Sequence, residues 1–166
     1  VPKAYFVKGH DETITESFIN LMQQNNYETE LINLALEESV PEDADLLIIS
    51  NPLYDFSEKE IETLDDYLIN ASGNVMVFHG TDTLTLPRLE SYFEEWGIKM
   101  KQTILIEDQR YLGNPMQLIP FLVNNSLNEN MSAYDSLYLV MPYCREMRVL
   151  WTENDDRKVE LMLVTS

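Results

Sequence analysis

The chain has 166 residues, 45% of them apolar, which suits one globular domain large enough to fold without a disulfide or a metal. Its net charge of −18, from 29 acidic and 11 basic residues, argues against nucleic acid or an anionic membrane surface as a partner. The single cysteine, Cys144, excludes an internal disulfide, and no apolar run reaches the roughly 18 residues that span a bilayer.

Neither a signal peptide nor an Asp-x-Asp-x-Asp-Gly calcium loop is present. The chain starts at Val1 without Met and stops at Ser166, straight after an apolar run. It reads as a piece of a longer protein, and any membrane segments are expected in the remainder.

Ala4–Lys8 is a short apolar run closed by Gly9, the first predicted strand. Ile14, Phe18, Leu21 and Met22 fall at i, i+4, i+7 and i+8, one face of a helix. Tyr27–Ile32 alternates as a second strand, and Pro41-Glu-Asp forms a turn. Leu46–Ile49 is apolar throughout, as a strand covered on both faces is. Ser57 opens a helix through a capping box with Glu60, with Phe56 and Ile61 at the staple positions. Ile61, Leu64, Tyr67 and Leu68 form its predicted buried stripe, and Gly73 lies near its stop. Val75–Phe78 is the next buried strand. Leu86, Leu89, Phe93 and Trp96 line a third helix ending at Gly97, and Gln102–Ile106 is read as a fifth strand. Beyond residue 110 short β-like runs dominate: Leu118–Val123, Leu137–Met141, Met147–Trp151 and Val159–Val164.

Strands alternating with helices predict an α/β fold with a mostly parallel sheet and right-handed crossovers. The expected arrangement is a flavodoxin-like three-layer sandwich with strand order 2-1-3-4-5. A single domain is expected, with an alternating βα core at 1–110 and a β-rich extension at 111–166.

In such sheets ligands bind outside the carboxyl ends of the strands, where strand order reverses. That edge holds Gly9, His10 and Asp11 after the first strand, and Ser50, Asn51 and Pro52 after the third. His79, Gly80, Thr81 and Asp82 follow the fourth. Both histidines lie there, so His10, Asn51, His79, Thr81 and Asp82 form the candidate ligand crevice. The same residue types also cap helices and build turns.

The enzyme classes fit this edge poorly. Thr13 and Thr15 offer hydroxyls to a flavin phosphate, but Asp11 and Glu12 repel an anion and no second glycine follows Gly9. A phospho-accepting switch needs an aspartate where Ser50 and Asn51 stand. A nucleophile elbow needs Gly-x-Ser-x-Gly or a cysteine in the same turn; Ile49-Ser-Asn-Pro52 lacks the glycines, and Cys144 lies far off. His10, His79 and Asp82 show no metal-ligand spacing. No catalytic residue, metal or cofactor is assigned. Tyr54 and Phe56 are the candidate protein-facing patch, with Tyr111 and Tyr143 as further aromatics. The alternative is a soluble small-ligand-binding or hydrolytic domain using the crevice around His10 and His79.

Four stretches resemble the extracytoplasmic domain of gliding-motility-type ABC-transporter auxiliary proteins, the GldG-like family. They are Asp43-Ala-Asp-Leu-Leu-Ile-Ile-Ser-Asn-Pro52, Phe56-Ser-Glu-Lys-Glu-Ile-Glu-Thr-Leu-Asp-Asp-Tyr-Leu68, Leu89-x-x-Tyr-Phe-Glu-Glu-Trp-Gly-Ile98 and Glu160-Leu-Met-Leu-Val-Thr-Ser166. The likeness runs through most of residues 4–166 and is weakest between 110 and 158. One departure is Ala71-Ser72-Gly73, where members of the family usually carry two glycines. The resemblance implies a flavodoxin-like or class I glutamine-amidotransferase-like fold without catalytic residues. It also implies a place on the extracytoplasmic side of the cell membrane and a non-enzymatic role in partner or substrate recognition. The implied partners are the membrane and ATPase subunits of an ABC transporter. No functional residue of the family carries over.

Overall fold

The computed structural model describes residues 1–82, 85–123, 125 and 139–166. The described chain forms two compact units, Val1–Tyr92 and Phe93–Ser166. The predicted change of character near residue 110 falls inside the second.

In the first unit the apolar runs become β1 (Lys3–Val7), β2 (Glu28–Ile32), β3 (Leu46–Ser50) and β4 (Val75–Phe78). All pair in parallel, in the order β2-β1-β3-β4. The fold is therefore α/β. Helix α1 (Glu16–Gln24) crosses from β1 to β2, and α2 (Glu58–Ile69) crosses from β3 to β4. These two crossovers advance in opposite directions across the sheet, so right-handedness sends the helices to opposite faces. The period of two in the strands supplies both faces. Ala4, Phe6 and Ile48 pack with Met22 of α1, while Tyr5, Val7, Leu47 and Ile49 are buried on the other side. The third helix, α3 (Pro87–Glu95), buries Leu89 and Tyr92.

Three predicted faces shift. Thr15 caps α1 by accepting from the Phe18 N–H, so Ile14 precedes the helix. The buried face then centres on Phe18, Ile19 and Met22, and Leu21 turns outward with 52% of its surface exposed. In α2 the buried residues are Glu60, Thr63, Leu64 and Tyr67, and the predicted Ile61 and Leu68 are only half-buried. The helix is rotated toward Glu60 because that carboxylate is drawn inward by its own cap. Finally, β4 is the edge of the described sheet and not a buried strand, with Met76 and Phe78 39% and 45% exposed.

In the second unit the ladders are short and antiparallel. β5 (Ile98–Met100) pairs with β9 (Met147–Val149), and β6 (Gln117–Leu118) with β8 (Met141–Pro142). β7 (Phe121–Leu122) pairs with β12 (Leu163–Val164), and β10 (Glu153–Asn154) with β11 (Arg157–Lys158). The predicted strand Gln102–Ile106 does not form. Its Ile104 and Ile106 are exposed, and β5 instead occupies the residues just after Gly97. Of the predicted run Leu137–Met141, Leu137 and Tyr138 lie outside the described residues.

Gly97 has φ +81°, and a Cβ there would sit 2.8 Å from Trp151 Cε2 and Val159 Cγ2, so glycine is required on both counts. Arg157 lies 4.2 Å over the Trp96 ring and donates to the Glu95 carbonyl at 2.9 Å. Glu107 is buried and accepts from the Asp108 and Gln109 amides, and from both the hydroxyl and the amide of Ser166. The Ser166 hydroxyl and these amides hold its carboxyl down at about 2.

Candidate functional site

The turns after β1, β3 and β4 lie side by side because β3 sits between the other two strands. The structure thus brings the predicted crevice residues to one sheet edge. It also shows what their polar atoms do.

Asn51 ties the three turns together. It holds a left-handed φ of +52°, which asparagine tolerates better than most residues. Its amide donates to the Phe78 carbonyl at 2.7 Å. Its Nδ2 donates to Thr13 Oγ1 at 3.3 Å, and its Oδ1 accepts from the Gly80 N–H at 2.9 Å. Gly80 must stay without a side chain, since a Cβ there would fall 2.1 Å from Asn51 Oδ1. Ser50 follows the same pattern: its hydroxyl donates to the Thr13 carbonyl at 2.7 Å, and its carbonyl accepts from the Thr13 amide at 2.8 Å. A hydroxyl that donates to a carbonyl is not activated for attack, because no base holds its proton.

His10 is buried in a box of charge and ring. Its Nδ1 lies 3.0 Å from Glu12 Oε1, and its ring stacks on Phe56 at 4.0 Å and 10°. Its backbone amide donates to Glu12 Oε2, and its carbonyl accepts from the Leu53 and Tyr54 amides. On the far side, Nε2 lies 3.2 Å from Glu60 Oε1. That contact is electrostatic without an aligned hydrogen bond. Glu60 can serve two masters because the Ser57 cap uses only its Oε2, which accepts from the Ser57 amide and hydroxyl at 2.8 and 2.7 Å. Burial works against charge on the imidazole, but Glu12 and Glu60 outweigh it and hold the His10 pKa above its ordinary value. Burial likewise opposes the Glu60 carboxylate, and the Ser57 donors with His10 more than offset it, so its pKa is lowered.

His79 belongs to a different helix. Its Nδ1 lies 3.2 Å from the Gly80 carbonyl, its Nε2 lies 3.6 Å from Glu90 Oε1 of α3, and its side chain is 6% exposed. The two histidines share an edge but are held by α2 and α3 respectively. Thr81 is half-buried and Asp82 exposed. Among the described residues, no group of three or more His, Cys, Asp or Glu side chains is placed to hold a metal ion. A hollow of about 310 Å³ lies at the opposite, amino-terminal end of the strands, lined by Val40, Pro41, Thr63, Asp66, Tyr67 and Asn70 among others.

Sequence reasoning found His10 and the Glu60 cap separately and missed their contact. The available signal was a capping acid with one oxygen to spare, beginning the helix that follows the strand neighbouring His10. The aromatic patch needs correction: Tyr54 is 63% exposed, but Phe56 is fully buried as the floor under His10. Tyr111 and Tyr143 are exposed in the second unit. There burial raises the Cys144 thiol pKa, which makes it a poor thiolate nucleophile.

No family model and no curated protein matches the chain. Among solved structures, the chain is similar to one described as the mmIFT52 N-terminal domain, with a TM-score of 0.65 and 17% sequence identity. The match covers 88% of this chain and 68% of that one. At that identity the likeness is one of fold alone. Among the described residues, no helix is long and apolar enough to cross a membrane.

Proposed function

We propose that this chain is a non-catalytic α/β domain that acts by recognising a partner, as the extracytoplasmic part of a membrane protein associated with an ABC transporter. Its arrangement is read as flavodoxin-like or glutamine-amidotransferase-like. The observation that carries the non-catalytic reading is the closure of the strand-end edge. Asn51, Ser50 and Thr13 satisfy one another, and His10 is enclosed by Glu12, Glu60 and Phe56. A general base needs a ring nitrogen within reach of a substrate proton, and both nitrogens of His10 face carboxylates. The membrane and transporter part of the reading is supported by the four family-like stretches of sequence.

The test is to purify the full-length parent protein from its native membrane and identify what accompanies it. The expected result is co-purification of transporter membrane and ATPase subunits, retained in His10→Gln and His79→Gln variants. A parent without membrane segments, or one that carries no transporter subunit, overturns the assignment. A thermal-shift screen of metals and small ligands addresses the crevice alternative: a hit abolished by both histidine substitutions would replace the non-catalytic reading.

A further inference from the structure

The two edges of the four-stranded sheet are built differently. β2 carries Glu28 and Glu30, which are exposed, and charge on an edge strand blocks further pairing. β4 reads Val-Met-Val-Phe, without charge, proline or glycine. Its backbone directions follow from its bonds to β3. Asn74 accepts from the Leu47 amide and Phe78 from the Asn51 amide, so residues 74, 76 and 78 turn their backbone groups toward β3. Val75 and Val77 therefore turn their N–H and C=O groups outward. Among the described residues, no strand pairs with that edge. On the α1 face, Phe78 meets Phe18 in an edge-to-face contact at 5.4 Å, and it and Met76 remain substantially exposed.

Among the described residues this is an unpaired row of backbone donors and acceptors beside two apolar side chains, and it fits one kind of occupant, an added strand. Charge narrows the choice further. No lysine or arginine occurs from Asn70 to Asp82, while Asp45 and Asp66 lie toward the amino-terminal end of β4 and Asp82 and Glu90 toward its carboxyl end. The other bases of the first unit are Lys3, paired with Glu30 and Asp43, Lys59, bonded to the Glu37 carbonyl, Arg88 beside Asp55, and Lys8 beyond β1. A second copy of a chain with net charge −18 is repelled from this edge.

We infer that the outer edge of β4 docks an extended segment of a partner protein, with apolar side chains at alternate positions and lysines or arginines at its ends. This deepens the partner-recognition reading and names its surface. The test uses a synthetic peptide of alternating valine and threonine flanked by lysine pairs, with residue-resolved amide hydrogen exchange as the readout. Val75 and Val77 are expected to slow on adding the peptide. Apparent affinity should fall at least about tenfold for a peptide N-methylated at alternate nitrogens, for a glutamate-flanked peptide, and in Met76→Lys. If Met76→Lys fails to fold, the N-methylated peptide still decides. No slowing at saturating peptide, slowing at Thr29 and Leu31 of β2 instead, or slowing that tracks protein concentration without peptide overturns the inference. Slowing at Val75 and Val77 with no transporter subunit co-purified retains the edge and removes the transporter assignment; the reverse pair of results removes the edge alone.

Discussion

Residues 1–92 and 93–166 are held together by different physics. Nearly every buried apolar side chain among the described residues lies in the first unit, from Ala4 to Tyr92, and Leu118 stands alone in the second. The first unit stacks strands of four and five residues against helices and gains from apolar area removed from water. The second uses two- and three-residue ladders, a buried carboxylate with four donors at Glu107, and guanidinium groups laid over Trp96 and Phe121. Long periodic elements and deep burial go together because a strand or helix must be long enough to present a continuous face. Short ladders hold shape through individual contacts.

The sharpest way to break that contrast is a truncation series. Phe56→Ala should cost about 3–5 kcal/mol in urea denaturation, since it empties a fully buried site and removes the floor under His10. Met147→Ala, on exposed β9, should stay within about 0.5 kcal/mol. Equal losses at the two sites would end the distinction. Gly97→Ala comes next, at about 1–3 kcal/mol, because its φ and its contact with Trp151 both resist a side chain. Hydrogen exchange should quicken in β5 and β9 and leave β1 and β3 unchanged. Equal quickening in both units would show that they do not fold separately. Ser57→Ala should cost about 1 kcal/mol through loss of the α2 cap. It should also bring the His10 pKa down in an NMR titration, if Glu60 is held in place by that cap.

Smaller effects should come from pH, with opposite signs in the two units. The His10 pKa is raised on folding, so its contribution is complete below about pH 6.5 and is lost as pH rises through the higher folded value. The Glu107 pKa is depressed to about 2. Its contribution is present above about pH 4.3 and is lost as pH falls toward the folded value. Denaturation midpoints measured against pH should lose the alkaline slope in His10→Gln and the acidic slope in Glu107→Gln. An unchanged slope in either variant assigns that pH response to another group.

The sequence made the first unit legible because its signals were periodic. The capping box at Ser57 and Glu60 formed as read, and the first four strands took their places in the predicted order 2-1-3-4-5, while among the described residues no fifth strand joins that sheet and β5 pairs with β9 instead. Fine positions were harder. The cap that draws Glu60 inward turned α2 away from the pattern of Ile61 and Leu68, and it set that carboxylate beside a histidine fifty positions earlier, a contact no local pattern announces. The run Gln102–Ile106 had the composition of a strand but gained no ladder partner, and β5 formed beside it where Gly97 permits the turn. The candidate residues lie at the strand-end edge where the pattern puts them, yet their availability was not readable, because the hydrogen bonds that join Asn51 to Thr13 and to the Gly80 amide link segments distant in sequence.

The contact between Asn51 and Gly80 has an evolutionary consequence. A methyl group at position 80 and a carboxamide at position 51 cannot occupy the same space. Related chains should therefore change the two positions together, with a larger residue at 80 accompanied by a smaller one at 51.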